Sequence, residues 1–283
     1  MTTSQINRHF EAPPALEDAV RHFYVIQTSA GFEREVARLS PNFDMLLLLN
    51  FGASLHISFA GEPVGGEPLK DVAVLGPLKR MLNYEIQPGT DLIVTVFTLD
   101  GFYRLFRTPV ENIPAEQLTD PATLHTTPWI KELWQILHNT SRLEDRIAIL
   151  SNYITAYLQE SETGTQPLLQ GVPYFGNPAV QPVKAIARDA QLTERSIQLR
   201  FRKYTGSSPK ELLRFIRFKQ VLQRLQDNPS PAPDWYDIIL DFGYHDQSHL
   251  IKDFQHYLGA TPQQFVQQIQ KTGFCITLPG KNY

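Results

Sequence analysis

Cysteine is almost missing from this chain. With Cys275 alone, no disulfide can close within it, which fits a reducing, cytoplasmic setting. Long apolar runs are missing too. The longest strongly apolar run, residues 45–49, falls far short of the ~20 residues that span a bilayer. The opening residues, MTTSQINRHFEAPP, hold no apolar signal core. The expectation is a soluble cytoplasmic protein with no membrane partner. Histidine is sparse in the first half. His56 is the only one between His22 and His125, and no His-x-His occurs. A metal-holding barrel clusters histidines with a carboxylate, so a metal enzyme is disfavoured. Asp44, Glu85 and Asp91 stand apart in sequence and read as solvated or turn residues. There is no glycine-rich nucleotide loop. No catalytic, metal or cofactor site is expected.

What is present is unevenly charged. Residues 1–177 carry 12 Lys and Arg against 20 Asp and Glu, whereas residues 184–224 carry 11 against 3. A basic block on an acidic protein is an electrostatic footprint for a polyanion. Residues 225–283 are acidic again, with 3 against 6.

The basic block belongs to a pattern that occurs twice. Phe201, Tyr204, Gly206 and Pro209 recur at one constant offset as Phe254, Tyr257, Gly259 and Pro262. Each copy reads as a short helix, a tight turn, a second helix and a stop. In the first, Val183, Ile186, Ala187 and Ala190 share a helix face. Thr193 suits the cap of the next helix, and Gly206 suits its end. In the second, Asp234 and Asp246 are the caps, Gly243 is the turn and Gly259 the stop. This is a doubled helix-turn-helix, whose second helices are shaped to enter a major groove. Opposite Ile197 and Phe201 lie Arg195, Gln198, Arg200 and Arg202. Arginine and glutamine read guanine and adenine edges by paired hydrogen bonds. His245 and His249 are four apart, but His245 precedes the Asp246 cap, so they need not share a face to hold a metal.

The stretches VKAIARDAQLTERSIQLRFRKYTGSSP and DIILDFGYHDQSHLIKDFQHYLGATP resemble the AraC/XylS family of bacterial transcription regulators. The resemblance covers roughly the last hundred residues. It implies binding of double-stranded DNA by both motifs, which are joined by one helix, with an effector or dimerisation domain elsewhere. Carried onto matching positions, the first motif offers Arg195, Gln198 and Leu199 to the bases and Arg200, Arg202 and Lys203 to phosphates, with Ser196 also among its DNA-binding residues. The second offers Gln247, Ser248, His249, Ile251 and Lys252. Because the second motif is acidic, the first should dominate affinity. The family often has glycine where Gln191 stands, a costly exchange if that turn needs positive φ. Residues 210–226 should form the connecting helix, roughly 25 Å long, with Leu212, Leu213, Ile216, Val221, Leu222 and Leu225 in the core. That length is compatible with recognition helices one DNA turn apart, ~34 Å. Arg214, Arg217 and Arg224 read equally as ion-pair partners or phosphate contacts.

The first half alternates like β structure. Strands are expected over residues 44–51, 54–59, 72–75, 81–86 and 92–99, and residues 16–26 read as helix running into strand. Residues 101–106 look helical. Thr127 and Pro128 open a helix through His138. Ser141 and Glu144 form a capping box for the next, whose stripe of Leu143, Ile147, Leu150, Ile154 and Leu158 suits packing on the sheet or a dimer contact. This half is similar to the barrel-plus-helices sensor domain of AraC-type regulators, a place for a small-molecule effector.

The fold expected is α+β: a small β-barrel or sandwich with helices over residues 1–160, a linker over 161–177, an all-α double helix-turn-helix over 178–270 and a tail over 271–283. The expected function is sequence-specific transcription regulation. RNA polymerase is a partner if the protein activates, and a homodimer is compatible. Two rivals stand beside it: an interaction protein that has lost part of its DNA contact, and a barrel enzyme with an attached DNA module.

Overall fold

The computed structural model describes residues 5–272 except 64, 66, 67, 125–127, 178 and 231; from residue 268 only the backbone course is described. The expected cap Thr127 and the tail from residue 273 lie outside the described residues.

Strands Gln5–Glu11 (β1), Val20–Thr28 (β2), Glu35–Leu39 (β3), Leu46–Asn50 (β4), Ile57–Phe59 (β5), Val72–Leu75 (β6), Leu82–Ile86 (β7) and Asp91–Phe97 (β8) make two antiparallel sheets. One has the order β1-β2-β8-β4-β6 and the other β3-β7-β5. The sheets pack as a sandwich and do not close into a barrel. Strands β1 and β3 have little apolar alternation and escaped the sequence reading. Residues 14–19 form turns in place of the expected helix.

The leucine run of β4 is explained by its place in the layers. Leu46 and Leu48 face the smaller sheet. Met45, Leu47 and Leu49 face a helical layer on the other side. A strand covered on both faces needs no polar alternation. That helical layer is Gly101–Phe106 (α1), Pro128–His138 (α2) and Leu143–Tyr157 (α3). Gly101 lets α1 start against β2, since a Cβ there would collide with the Ala19 carbonyl. The capping box does not form. Arg142 is the cap residue of α3 without a side-chain bond, and Glu144 pairs with Arg8 at 2.9 Å. Glu144 and Asp145 still place negative charge in the first turn, where the helix dipole favours it. The stripe from Leu143 to Ile154 is buried in the layer, with Leu158 packed at its edge. It is a packing surface of this chain.

The rest is helical: Gln166–Gly171 (α4), Pro182–Asp189 (α5), Glu194–Thr205 (α6), Pro209–Asp227 (α7), Trp235–Asp241 (α8), Gln247–Leu258 (α9) and Pro262–Thr272 (α10). The segment expected as a linker is folded. Leu168 of α4 is wholly buried with Ile186, Ala187, Ile197 and Phe201. The connecting helix α7 is closed at its start by a reciprocal capping box of Ser208 and Glu211. Its deep face is Phe215, Phe218, Val221, Leu222 and Leu225. Leu213 is exposed and Ile216 half-buried, contrary to expectation. The two phenylalanines pull the helix round to meet Phe254 and Tyr257 of α9, which leaves Leu213 and Ile216 to line a hollow between the two motifs.

The backs of both motifs rest on the sandwich. Met81 N–H donates to Tyr257 O at 2.8 Å. Phe43 packs on Phe215 with ring centroids 4.5 Å apart. Lys79 Nζ donates to Gly206 O at 3.0 Å.

Candidate nucleic-acid interface

The first helix-turn-helix is α5 and α6. Gln191 is in the left-handed region, with φ 54°. Leu192 N–H reaches Ala187 O and Gln191 N–H reaches Arg188 O. The second motif, α8 and α9, repeats this closure: Gly243 has φ 65°, Tyr244 N–H reaches Ile239 O and Gly243 N–H reaches Leu240 O. Both turns are thus Schellman closures, and the first places a glutamine where the second has glycine.

Thr193 caps α6 by accepting from Ser196 N–H at 3.1 Å, and Gly206 ends it with φ 64°. Ile197, Phe201 and Tyr204 are buried. On the opposite side Arg195, Gln198, Leu199 and Arg202 are exposed, Leu199 by 53%. These four are spaced three or four apart and form one outward face. Ser196 is half-buried beside the cap.

The other two cations of α6 are engaged elsewhere. Arg200 Nη1 donates to Gly164 O at 2.7 Å. Lys203 Nζ donates to Glu162 Oε2 at 2.8 Å and sits 4.6 Å from the ring centroid of Tyr103. Both were expected at phosphates, and here both face the segment before α4. Glu162 also accepts from Tyr103 OH at 2.7 Å and Tyr204 OH at 2.5 Å. Burial alone would raise this carboxyl, but the bonds from Lys203, Tyr204 and Tyr103 outweigh it and hold it at about 2. The same contacts push the Lys203 ammonium up against its own desolvation. Sequence reasoning missed Glu162 because it is a lone acid in a Gly- and Pro-rich stretch.

Asp246 caps α9 by accepting from His249 N–H at 2.7 Å. Gln247, Ser248 and Lys252 are exposed, and Ile251 is half-buried. His249 turns inward. Its ring lies edge-on to Tyr244, with Nε2 3.2 Å from Arg217 Nη2. His245 pairs instead with Asp246, and no group of three metal-capable side chains occurs among the described residues. Asp253, wholly buried, accepts from Arg214 Nε at 2.7 Å and Tyr244 OH at 3.0 Å, with Arg217 at 3.7 Å. Arg214 and Arg217 are therefore ion-pair partners that lock α7 to α9, and Arg224 remains exposed.

The isolated carboxylates of the first half also have partners. Asp44 is buried against Arg21 at 3.0 Å. Glu85 takes a two-pronged bond from Arg34, and both oxygens of Asp91 accept from Arg146 Nη1. They are structural ion pairs, brought together from distant parts of the chain by folding.

No helix among the described residues is long and apolar enough to cross a membrane. No curated protein matches the chain significantly. Residues 8–119 match the family "Domain of unknown function (DUF6597)". Among solved structures, ToxT from Vibrio cholerae is similar at 10% identity, covering 83% of this chain and 97% of that one with a TM-score of 0.41. A second ToxT structure, from Vibrio cholerae O395, gives 10%, 85%, 98% and 0.37. Protein NMB1881 from Neisseria meningitidis gives 12%, 34%, 84% and 0.21. Residues 186–268 match the family "Helix-turn-helix domain", and with the doubled capped motif described above, the chain carries an AraC-type helix-turn-helix domain.

Proposed function

We propose that this protein is a sequence-specific DNA-binding transcription regulator whose two motifs address adjacent major grooves. The observation that supports it best is the sidedness of α6 and α9. Each buries its apolar back, and each leaves a polar row in solvent: Arg195, Gln198 and Arg202 on one, Gln247, Ser248 and Lys252 on the other. In this reading Arg195 and Gln198 read base edges, Leu199 meets a thymine methyl, and Arg202 and Lys252 meet phosphates. The first motif supplies most of the affinity, since the second is acidic. Residues 178–270 are the DNA-binding domain and residues 1–160 an effector or dimerisation domain, joined through 161–177. The protein acts in the cytoplasm, without catalysis. As an activator it would meet RNA polymerase, and a homodimer would double the site.

Selection from random duplex DNA at fixed salt tests this. A regulator enriches a site with two parts about one helical turn, ~34 Å, apart. An interaction protein enriches none.

A further inference from the structure

The two helix-turn-helix motifs bury their backs in separate cores. The first gathers Ile186, Ile197, Phe201 and Tyr204 around Leu168 of α4 and Tyr103 of α1. The deep face of α7, from Phe215 to Leu225, belongs to the second, together with Phe254 and Tyr257 of α9. The connecting helix is thus built into the second motif, and Leu212 is its side chain that packs on the first. Three residues lie between α6 and α7: Gly206, Ser207 and Ser208. Rotation about this joint would swing one recognition helix relative to the other.

Lys79 of the sandwich straddles the joint. Its Nζ donates to Gly206 O at 3.0 Å, on the α6 side, and to Glu211 Oε1 at 3.2 Å, on the α7 side. An ammonium has the donors for both, and the C-terminus of a helix favours a cation. Its support is fixed. Leu78 is buried, its N–H donates to Asp44 O, and its carbonyl accepts from Asn42 and Phe43 N–H. Gly206 comes so close that a Cβ there would meet Val110 and Pro77. The second copy is fastened at the equivalent end. Met81 N–H donates to Tyr257 O at 2.8 Å, and a Cβ on Gly259 would meet Ala60 and Gly61. Lys79 and Met81 are two residues apart, so at most ~7 Å of backbone separates the two attachments.

We propose that Lys79 is a positioning residue that locks the joint between α6 and α7, so that residues 77–81 of the sandwich fix how the two recognition helices stand relative to each other. Its consequence for the spacing of a DNA site rests on the regulator reading above. The lock itself does not.

The lock is tested without DNA on the full chain. Spin labels are placed on Arg202→Cys of α6 and Lys252→Cys of α9, both at exposed positions, with Cys275→Ser removing the only native thiol. Pulsed dipolar spectroscopy should give one narrow distance distribution. Lys79→Met keeps the apolar stem and removes the donor, and should broaden the distribution at least twofold. Lys79→Arg should restore the narrow one. Glu211→Gln still suits the capping box and should broaden it less than Lys79→Met. A distribution unchanged in Lys79→Met overturns the proposal, even where the melting temperature falls, since a merely structural side chain would do that. A distribution as broad in Lys79→Arg as in Lys79→Met overturns it too.

The second arm uses unlabelled protein and the two-part site from random selection. One inserted base pair shifts the second part by ~3.4 Å and about a tenth of a turn. Wild type should lose tenfold or more in affinity, and Lys79→Met threefold or less. Equal losses in the two proteins overturn the control of spacing. If wild type enriches no two-part site, the regulator reading fails, and the distance measurement still decides the lock.

Discussion

Lys203 and Glu162 are joined at 2.8 Å, so a cation of the first recognition helix is held by the segment that leads out of the strand-rich half. Tyr103 of α1 donates to the same carboxylate. One acid thus ties α1 to α6, and it withholds from DNA a charge placed where a phosphate contact is expected. Glu162→Gln should loosen this tie and release Lys203. Binding to non-specific DNA at low salt should then strengthen, with the slope of log K on log salt steeper by about 0.9 for one added phosphate contact. Lys203→Ala in the native background should leave that slope unchanged. A slope equal in Glu162→Gln and wild type means Lys203 stays unreleased.

The exposed row of α6 gives the specificity test. Arg195→Ala and Gln198→Ala should each cost ~1–3 kcal/mol on the selected site and relax preference at one base position. Arg202→Ala should weaken all sequences alike. Competition binding against single-base variants of the site distinguishes these patterns, and unchanged preference in both base-reading variants rejects the assignment.

Gln191 holds φ 54° at the closure where the second motif has Gly243. A left-handed backbone costs a side-chain-bearing residue ~1–2 kcal/mol, and glycine gives part of that back as unfolded-state entropy. Gln191→Gly should raise stability by roughly 0.5–1 kcal/mol, read from the urea midpoint at constant m. A lower midpoint would show that the glutamine side chain has a compensating contact.

Asp253 is wholly buried and satisfies Arg214 and Tyr244. Asp253→Ala leaves two guanidinium groups facing an empty site. Because Arg214 and Arg217 are partly exposed, the loss should fall near the low end for a broken buried pair, about 3 kcal/mol. Thermal unfolding of this variant should show an earlier transition in the helical half.

His22 supplies a pH test with a definite sign. Its folded value is lowered to about 4 from 6.5. A histidine kept neutral by burial contributes stability that is full above pH 6.5 and is lost as pH falls toward 4. His22→Gln should flatten the stability curve in that window and leave it unchanged at pH 8. Denaturant unfolding between pH 4 and pH 8 measures it, and parallel curves for the two proteins would refute it.

The doubled motif was legible in the chain because its signals are local. Thr193, Asp234 and Asp246 cap, and Gly206, Gly243 and Gly259 end or turn, through atoms within a few residues of themselves. The leucines of β4 gave away a doubly covered strand in the same manner, through burial that their own run requires. Partners distant in sequence left no such mark. Nothing near Glu162 announces Lys203 and Tyr103, and nothing near Asp44 or Asp91 announces Arg21 or Arg146. The sequence by itself settled the helices of the doubled motif and which face of α6 turns outward, because hydrogen bonding and apolar spacing act along the chain, whereas the helix expected from residue 16 is turn and α4 lies where a linker is expected. Tertiary structure alone decided which cations of α6 stay exposed and which acids hold the halves together, because each depends on charges that only folding brings within reach.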